Sequence, residues 1–361
     1  MGRVRLRIGF ILFLILFITG TQIALNKSAA AMHFYIQKIF LPLQRGRSFL
    51  LDSIPISIGD ILYLLLALLL LLLLIRLIYF AFTYKKNKPD FWVSLLRFVT
   101  FPLVIYALFL ILWGGNYSRA PLTKSWNIWY SNWDTGRLVR LNKFLIQKMN
   151  ETEKDVIVYP DLKTLNNQTN IYYHQQFGFT LPHLKVKPTS LGYLLNYIGI
   201  HGYYNPLSGE SQFNRFIPQF MHPFVITHEM AHQAGIARED DANLLAYIIG
   251  VRSPVAAYRY SAYFNLFLYA YSDLQARDKD LAATLLLSLN QKSRRDMQTL
   301  TVMYKKYKSA FRGFSNSIYD EYLRLHGQSK GLEAYNFVTH WVYYWELVDH
   351  EKAKVSLGVE N

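Results

Sequence analysis

From Ile58 to Phe82 the chain is an almost unbroken apolar run, with Leu64 to Leu74 interrupted only by Ala67. A run of that length crosses the hydrocarbon core of a bilayer as a helix, because lipid offers no partner to backbone polar groups and a helix satisfies them internally. Two further stretches share this character. Residues 8–25 (Ile8 to Leu25) follow Arg3, Arg5 and Arg7, and residues 92–114 (Trp92 to Gly114) are bracketed by Trp92 and Trp113, residues suited to the membrane interface. Small residues at Ser28-Ala29-Ala30-Ala31 would allow signal cleavage, but the first run is long for a signal core, which favours a retained anchor. Asp60 reads as interfacial, and Arg76 and Arg97 lie where they can snorkel. With so few polar groups inside the spans, a channel or transporter fits poorly.

The charge pattern sets an expected orientation. The net charge is +15, yet residues 1–114 hold 12 Lys/Arg against 3 Asp/Glu, whereas the remainder holds 27 against 21. The excess therefore belongs to membrane flanks, and a nucleic-acid partner is not expected. The basic N-terminus and Lys85, Lys86 and Lys88 are assigned to the cytoplasm. The loop of residues 26–57 also holds four basic residues, so the bias is modest. Three spans then place everything after Gly115 outside the cytoplasm, and loss of the first span would not alter that. The expectation is a multi-pass protein of the cell membrane, in contact with lipid, with residues 1–114 as its transmembrane region and 115–361 as an extracytoplasmic domain. No cysteine is present, so disulfides, a thiolate nucleophile and a Cys-type metal site are excluded.

Past the spans, the stretch with Trp126, Trp129 and Trp133 reads as leaving the membrane along its surface. Leu138, Leu141, Phe144, Leu145 and Met149 have helical spacing over residues 136–150, and Asp155 to Pro160 reads as a short strand. His201 to Phe213 contains the turn dipeptides Asn205-Pro206 and Ser208-Gly209 between β-prone flanks, which predicts a hairpin. After Gly250 the pattern is helical nearly to the end, with Tyr258, Tyr260, Tyr263, Phe264, Phe267, Tyr269 and Tyr271 read as packing residues and two late helices split by Gly327 and Gly331. The predicted class is three N-terminal transmembrane helices followed by a mostly helical α+β domain with a small sheet.

The chemistry concentrates in Thr227 to Asn243. His228 and His232 stand four residues apart, a spacing that stacks both imidazoles on one helix face, where they can share a zinc ion beside the carboxylate of Glu229. Gly235 supplies the residue at which that helix stops. A third ligand is sought among Glu239, Asp240 and Asp241; if a second helix starts near Arg238, then Glu239, Ala242 and Asn243 share a face. Ala242 would allow close helix approach, and Asn243 could hydrogen-bond a ligand histidine. Oxyanion donors could come from Tyr203, Tyr204, His222 or Tyr260, and a fourth protein ligand, from His201 or His222, would instead close the site.

These features resemble a known family. The three spans, Ile54-Pro55-Ile56-Ser57-Ile58-Gly59-Asp60-Ile61-Leu62-Tyr63, Leu112-Trp113-Gly114-Gly115-Asn116-Tyr117, Tyr203-Tyr204-Asn205-Pro206 and His228-Glu229-Met230-Ala231-His232-Gln233 look like the bacterial membrane family called domain of unknown function 3810. Arg259-Tyr260-Ser261, Tyr322-Leu323 and Tyr335 fit it too. The resemblance implies a membrane protein with a zincin-like zinc-peptidase domain. Glu239-Asp240-Asp241-Ala242-Asn243 is similar to the Glu-x-x-Ala-Asn segment of gluzincin metallopeptidases, which implies Glu239 as the third zinc ligand. Only six residues separate His232 from Glu239, and Arg238 stands where metzincins carry a third histidine, so the site would be a compact variant. Helical phase argues the same way, since residue 241 is rotated about 200° from 239. The expected function is a membrane-anchored zinc metallopeptidase acting on a peptide or protein, with Glu229 as general base. The alternative is a zinc-stabilised scaffold or binding protein without catalysis.

Overall fold

The computed structural model describes residues 2–126, 128, 133–152, 157–177, 183–325 and 334–348. Two compact units are present, Met1–Arg119 with Asn205–Glu210, and Ala120–Tyr204 with Ser211–Asn361.

The first unit contains α1 (Gly2–Lys27), α2 (Ala29–Phe34), a π-helical turn at Tyr35–Phe40, α3 (Leu41–Leu51), α4 (Ile58–Phe82) and α5 (Lys88–Leu112). Val4–Lys27, Ile58–Phe82 and Lys88–Leu112 are long and apolar enough to cross a membrane, which marks a membrane protein. Leu64, Leu68 and Leu72 of α4 are more than half exposed, an arrangement that lipid favours and water opposes. Leu14 and Ile18 of α1 pack on Ala107 and Leu110 of α5, and Gln22 Nε2 donates to the Tyr106 hydroxyl at 2.8 Å. Residues 29–51, expected within a loop, are helical. Within this stretch α3 buries Gln44 and Ser48 while exposing Phe49 and Leu50. The first amides of α4 are capped twice. Ser57 Oγ accepts from Asp60 N at 3.0 Å, and the Glu210 carboxylate accepts from Gly59 N at 2.7 Å. Asp60, read as interfacial, is buried in this first turn.

The second unit runs α6 (Leu122–Ser125), α7 (Thr135–Thr152), α8 (Leu162–Phe177), β1 (Val186–Pro188), α9 (Gly192–Ile198), β2 (Gly202–Asn205), β3 (Glu210–Phe213), α10 (His222–Gln233), α11 (Glu239–Arg252), α12 (Ala256–Arg277), α13 (Lys279–Leu286), α14 (Gln291–Lys306), α15 (Ala310–Leu325) and α16 (Ala334–Leu347); the first residue of β3 and the last of β2 count with the first unit. The spacing read over residues 136–150 puts Leu138, Leu141, Leu145 and Met149 of α7 in the core, against α12. Tyr258, Tyr260, Phe264 and Phe267 of α12 are fully buried, as packing residues. α11 is buried on every side from Glu239 to Gly250, so that beyond its acidic first turn and Asn243 the run Leu244 to Ile249 is apolar without a polar face. Gly250 permits this, since a Cβ there would stand 2.5 Å from Ala262 Cβ of α12.

The sheet is small and mixed, in the order β1-β3-β2. β1 pairs with β3 in parallel, Val186 opposite Ser211 and Pro188 opposite Phe213, and α9 lies in the crossover a parallel pair requires. The hairpin read in 201–213 is β2–β3. Of the strand expected at 155–160, residues 157–160 carry no regular structure, while Asp155 and Val156 lie outside the described residues, as do Trp129, Gly327 and Gly331. Strand propensity in Val and Ile is realised only where a neighbouring strand offers hydrogen bonds. Trp126 and Trp133, read as lying along the membrane, pack inside the second unit. The Trp126 ring lies 6.1 Å from Trp345, and Trp133 Nε1 donates to Asp273 at 3.0 Å.

Candidate metal centre

α10 carries the two histidines, and its end is built by a glycine. Gly235 adopts φ +90°, a left-handed value that costs other residues about 1–2 kcal/mol. Gly235 N then donates to His232 O at 2.9 Å and Ile236 N to Ala231 O at 3.0 Å, the paired bonds of a Schellman stop. This turn aims the Ile236 carbonyl back at the helix, where it meets His232 Nδ1 at 2.7 Å. Nδ1 therefore carries the hydrogen in the neutral ring, and Nε2 keeps its lone pair for an ion. Arg238, extended at ψ 133°, starts α11, so Glu239 occupies the first turn and faces α10.

The three donor atoms converge. His232 Nε2 lies 3.0 Å from His228 Nε2, and Glu239 Oε2 lies 3.2 Å from His228 Nε2 and 3.5 Å from His232 Nε2. Tetrahedral bonds of about 2.0–2.1 Å to N and O hold ligand atoms roughly 3.3 Å apart, so the triangle already has the size that a zinc-like ion requires. All three residues are buried. The charges agree with the geometry. Burial works against a charged imidazole at His232, but the carboxylates of Glu239 and Glu229 outweigh it and raise its pKa to about 9. Burial also opposes charge on Glu239, yet His232 and the hydrogen bonds from both histidines hold its carboxyl well below the usual range. His228 is pushed down, chiefly by burial. The cluster thus stabilises a proton at the place where a cation fits.

Glu229 lies alongside on the same helix. Its Oε2 is buried and meets no hydrogen-bond partner among the described residues, and burial raises its pKa to about 8. Gly202 of β2 faces it: a Cβ there would stand 2.6 Å from Glu229 Oε1. Ser211 Oγ donates to Glu229 O at 2.7 Å, and Tyr173 donates to Thr227 O at 2.7 Å, so the sheet and α8 both fix α10.

The other candidates are distributed as follows. Asp241 turns away, accepting from Leu122 N at 3.1 Å; burial and Asp240 push its pKa up to about 8. Asp240 pairs with Arg238 at 3.3 Å. Asn243 is a hydrogen-bonding neighbour that favours the charged form of His228. His222 gives Nε2 to Ile217 O at 3.0 Å, and Tyr260 donates to Asp296 at 2.6 Å, so both serve other contacts. Tyr203 and Tyr204 lie on β2 beside Gly202, with Tyr204 buried. His201 is outside the cluster. Sequence reading did not anticipate the Ile236 carbonyl, Ser211, Tyr173 or Gly202. Nor did it single out Tyr269, which borders Glu239 and Asn243 and whose pKa is raised by burial and then by Glu239. Of these, only the Ile236 contact had a sequence signal, the glycine stop.

A mostly helical chain with three N-terminal helices fit to cross a membrane, and a buried His-His-Glu cluster able to hold a metal ion, is the class these features define. Within that class, the chain belongs to DUF3810, a family described as protein of unknown function, whose model matches residues 35–343. No curated protein and no solved structure matches the chain.

Proposed function

We propose that this chain is a membrane-anchored zinc metallopeptidase, with a gluzincin-like centre of His228, His232 and Glu239 in a zincin-like domain. The observation that carries the reading is the buried donor triangle of 3.0, 3.2 and 3.5 Å with a proton-binding carboxyl, Glu229, one residue from its first histidine. Two imidazoles and one carboxylate are the donor set of several catalytic zinc sites. When bound there, zinc supplies a Lewis acid that polarises a carbonyl and lowers the pKa of water. The residues do the rest. Glu229 takes a proton from the attacking water and returns it to the leaving amine, a role that suits a carboxyl whose pKa lies near neutrality. His232 is held in one tautomer by Ile236.

Among the described residues the cluster contains three ligands, which supports an open position over the closed site of a scaffold. The test uses full-length protein in detergent, comparing wild type with Glu229→Gln for metal content and cleavage of a peptide mixture. About one zinc per chain is expected in both proteins, with cleavage at least ~100-fold slower in the variant. Equal cleavage by the two would sink the reading.

A further inference from the structure

A second group of polar side chains in the second unit has no charge partner among the described residues. Arg312 of α15 forms no ion pair with a carboxylate among the described residues. Its guanidinium lies against Gly199, whose φ is +75° and where a Cβ would stand 2.9 Å from Nε. It also covers the Tyr304 ring at 4.9 Å and hydrogen-bonds its hydroxyl. His201 stands in the same place, its ring parallel to that of Tyr304 at 6.3 Å. The His201 main chain is pinned by Asn214 N at 2.7 Å, and its Nε2 is buried with no hydrogen-bond partner among the described residues. A buried ring nitrogen without a partner beside an unneutralised guanidinium is costly unless something fills the gap.

The group adjoins the candidate metal centre along two routes. His201 precedes Gly202, whose Cα faces Glu229. Tyr304 neighbours Tyr269, which borders Glu239 and Asn243. We infer that His201, Tyr304 and Arg312 form a carboxylate-binding pocket beside the metal centre. The guanidinium offers a planar fork of parallel N–H donors, which matches the two oxygens of a carboxylate. The Tyr304 hydroxyl and the Nε2–H tautomer of the neutral His201 ring supply further donors. If the peptidase reading holds, on which this step rests, the pocket selects peptides with a free C-terminus or an acidic side chain close to the bond that is cut.

The test is calorimetric binding of N-acetyl-alanyl-alanine and of its C-terminal amide to the full-length protein in detergent. It is run with zinc and again after chelation, so that a direct bond from the acid to the metal is separated from the pocket. The acid is expected to bind about tenfold or more tightly than the amide in the chelated protein. Arg312→Met should remove that preference, and Arg312→Lys should retain part of it. Equal affinity of acid and amide in the chelated wild type overturns the inference, whether or not the variants fold. So does an unchanged preference in folded Arg312→Met, or tighter binding of inorganic phosphate than of the acid. Acid preference without any peptide cleavage by the zinc-loaded wild type keeps the pocket and removes the peptidase reading; cleavage without acid preference does the reverse.

Discussion

Glu229 has room for its carboxyl only because residue 202 has no side chain. A methyl at that position would stand 2.6 Å from Oε1 and 2.8 Å from Cγ, so Gly202→Ala must displace the carboxyl. Metal content should stay near wild type while peptide cleavage falls about tenfold or more, since small misplacements of a reacting group cost that much. Glu239→Ala should lower zinc affinity sharply and Asp241→Ala far less, as measured by competition with a chelating dye, because Glu239 joins the histidines and Asp241 does not. His201 gives a stability prediction of opposite sign to that of a salt-bridged histidine. Burial and then Arg312 lower its pKa to about 4, against an ordinary value of 6.5. Above about 6.5 both folded and unfolded chains are neutral there, so nothing is lost; as the pH falls from 6.5 towards 4 only the unfolded chain takes the proton, and stability declines. Thermal unfolding at pH 7 and pH 4.5 should show a smaller acid loss in His201→Gln than in wild type. At this scale the sequence was informative where side chains do the work. His228, His232 and Glu239 could be placed by spacing and helical phase. The Ile236 carbonyl, Gly202 and Ser211 could not, because their roles come from main-chain position and from tertiary contacts between distant segments.

Among elements, the α10–α11 pair depends on its turn. Gly235→Ala forces a Cβ into a left-handed conformation and should cost about 1–2 kcal/mol. The same strain shifts the Ile236 carbonyl off His232, so the variant should show both a lower melting temperature and weaker zinc binding. A lower melting temperature with unchanged zinc affinity would separate the cap from the centre. The helix, its glycine stop and the next helix start were readable because capping is local. The helices of residues 29–51 were not. α3 turns Gln44 and Ser48 inward and Phe49 and Leu50 outward, the reverse of a helix in water, so a search for an apolar inner face passes over it. The irregular stretch 157–160 has the complementary cause, a good local pattern that pairs with no strand among the described residues.

For the molecule as a whole, the absence of cysteine makes its orientation directly testable. Single-cysteine variants at Lys86 and Ser288 should differ towards a membrane-impermeant maleimide in intact cells. Ser288→Cys should be labelled at once, and Lys86→Cys only after permeabilisation, if the basic link is cytoplasmic. The reverse pattern would overturn the orientation read from charge. The close spacing of the three donors has a consequence of a different kind. His228 and Glu239 lie on adjacent helices joined by a short turn, so an ion held between them closes a very small loop. Loop-closure entropy grows only with the logarithm of length, and a ring this small removes little freedom from the unfolded chain. Zinc should therefore lock one helical hairpin without acting as a keystone for the whole domain. Chelation should accelerate amide hydrogen exchange over residues 222–252 and leave exchange in α7 and the core of α12 close to its original rate.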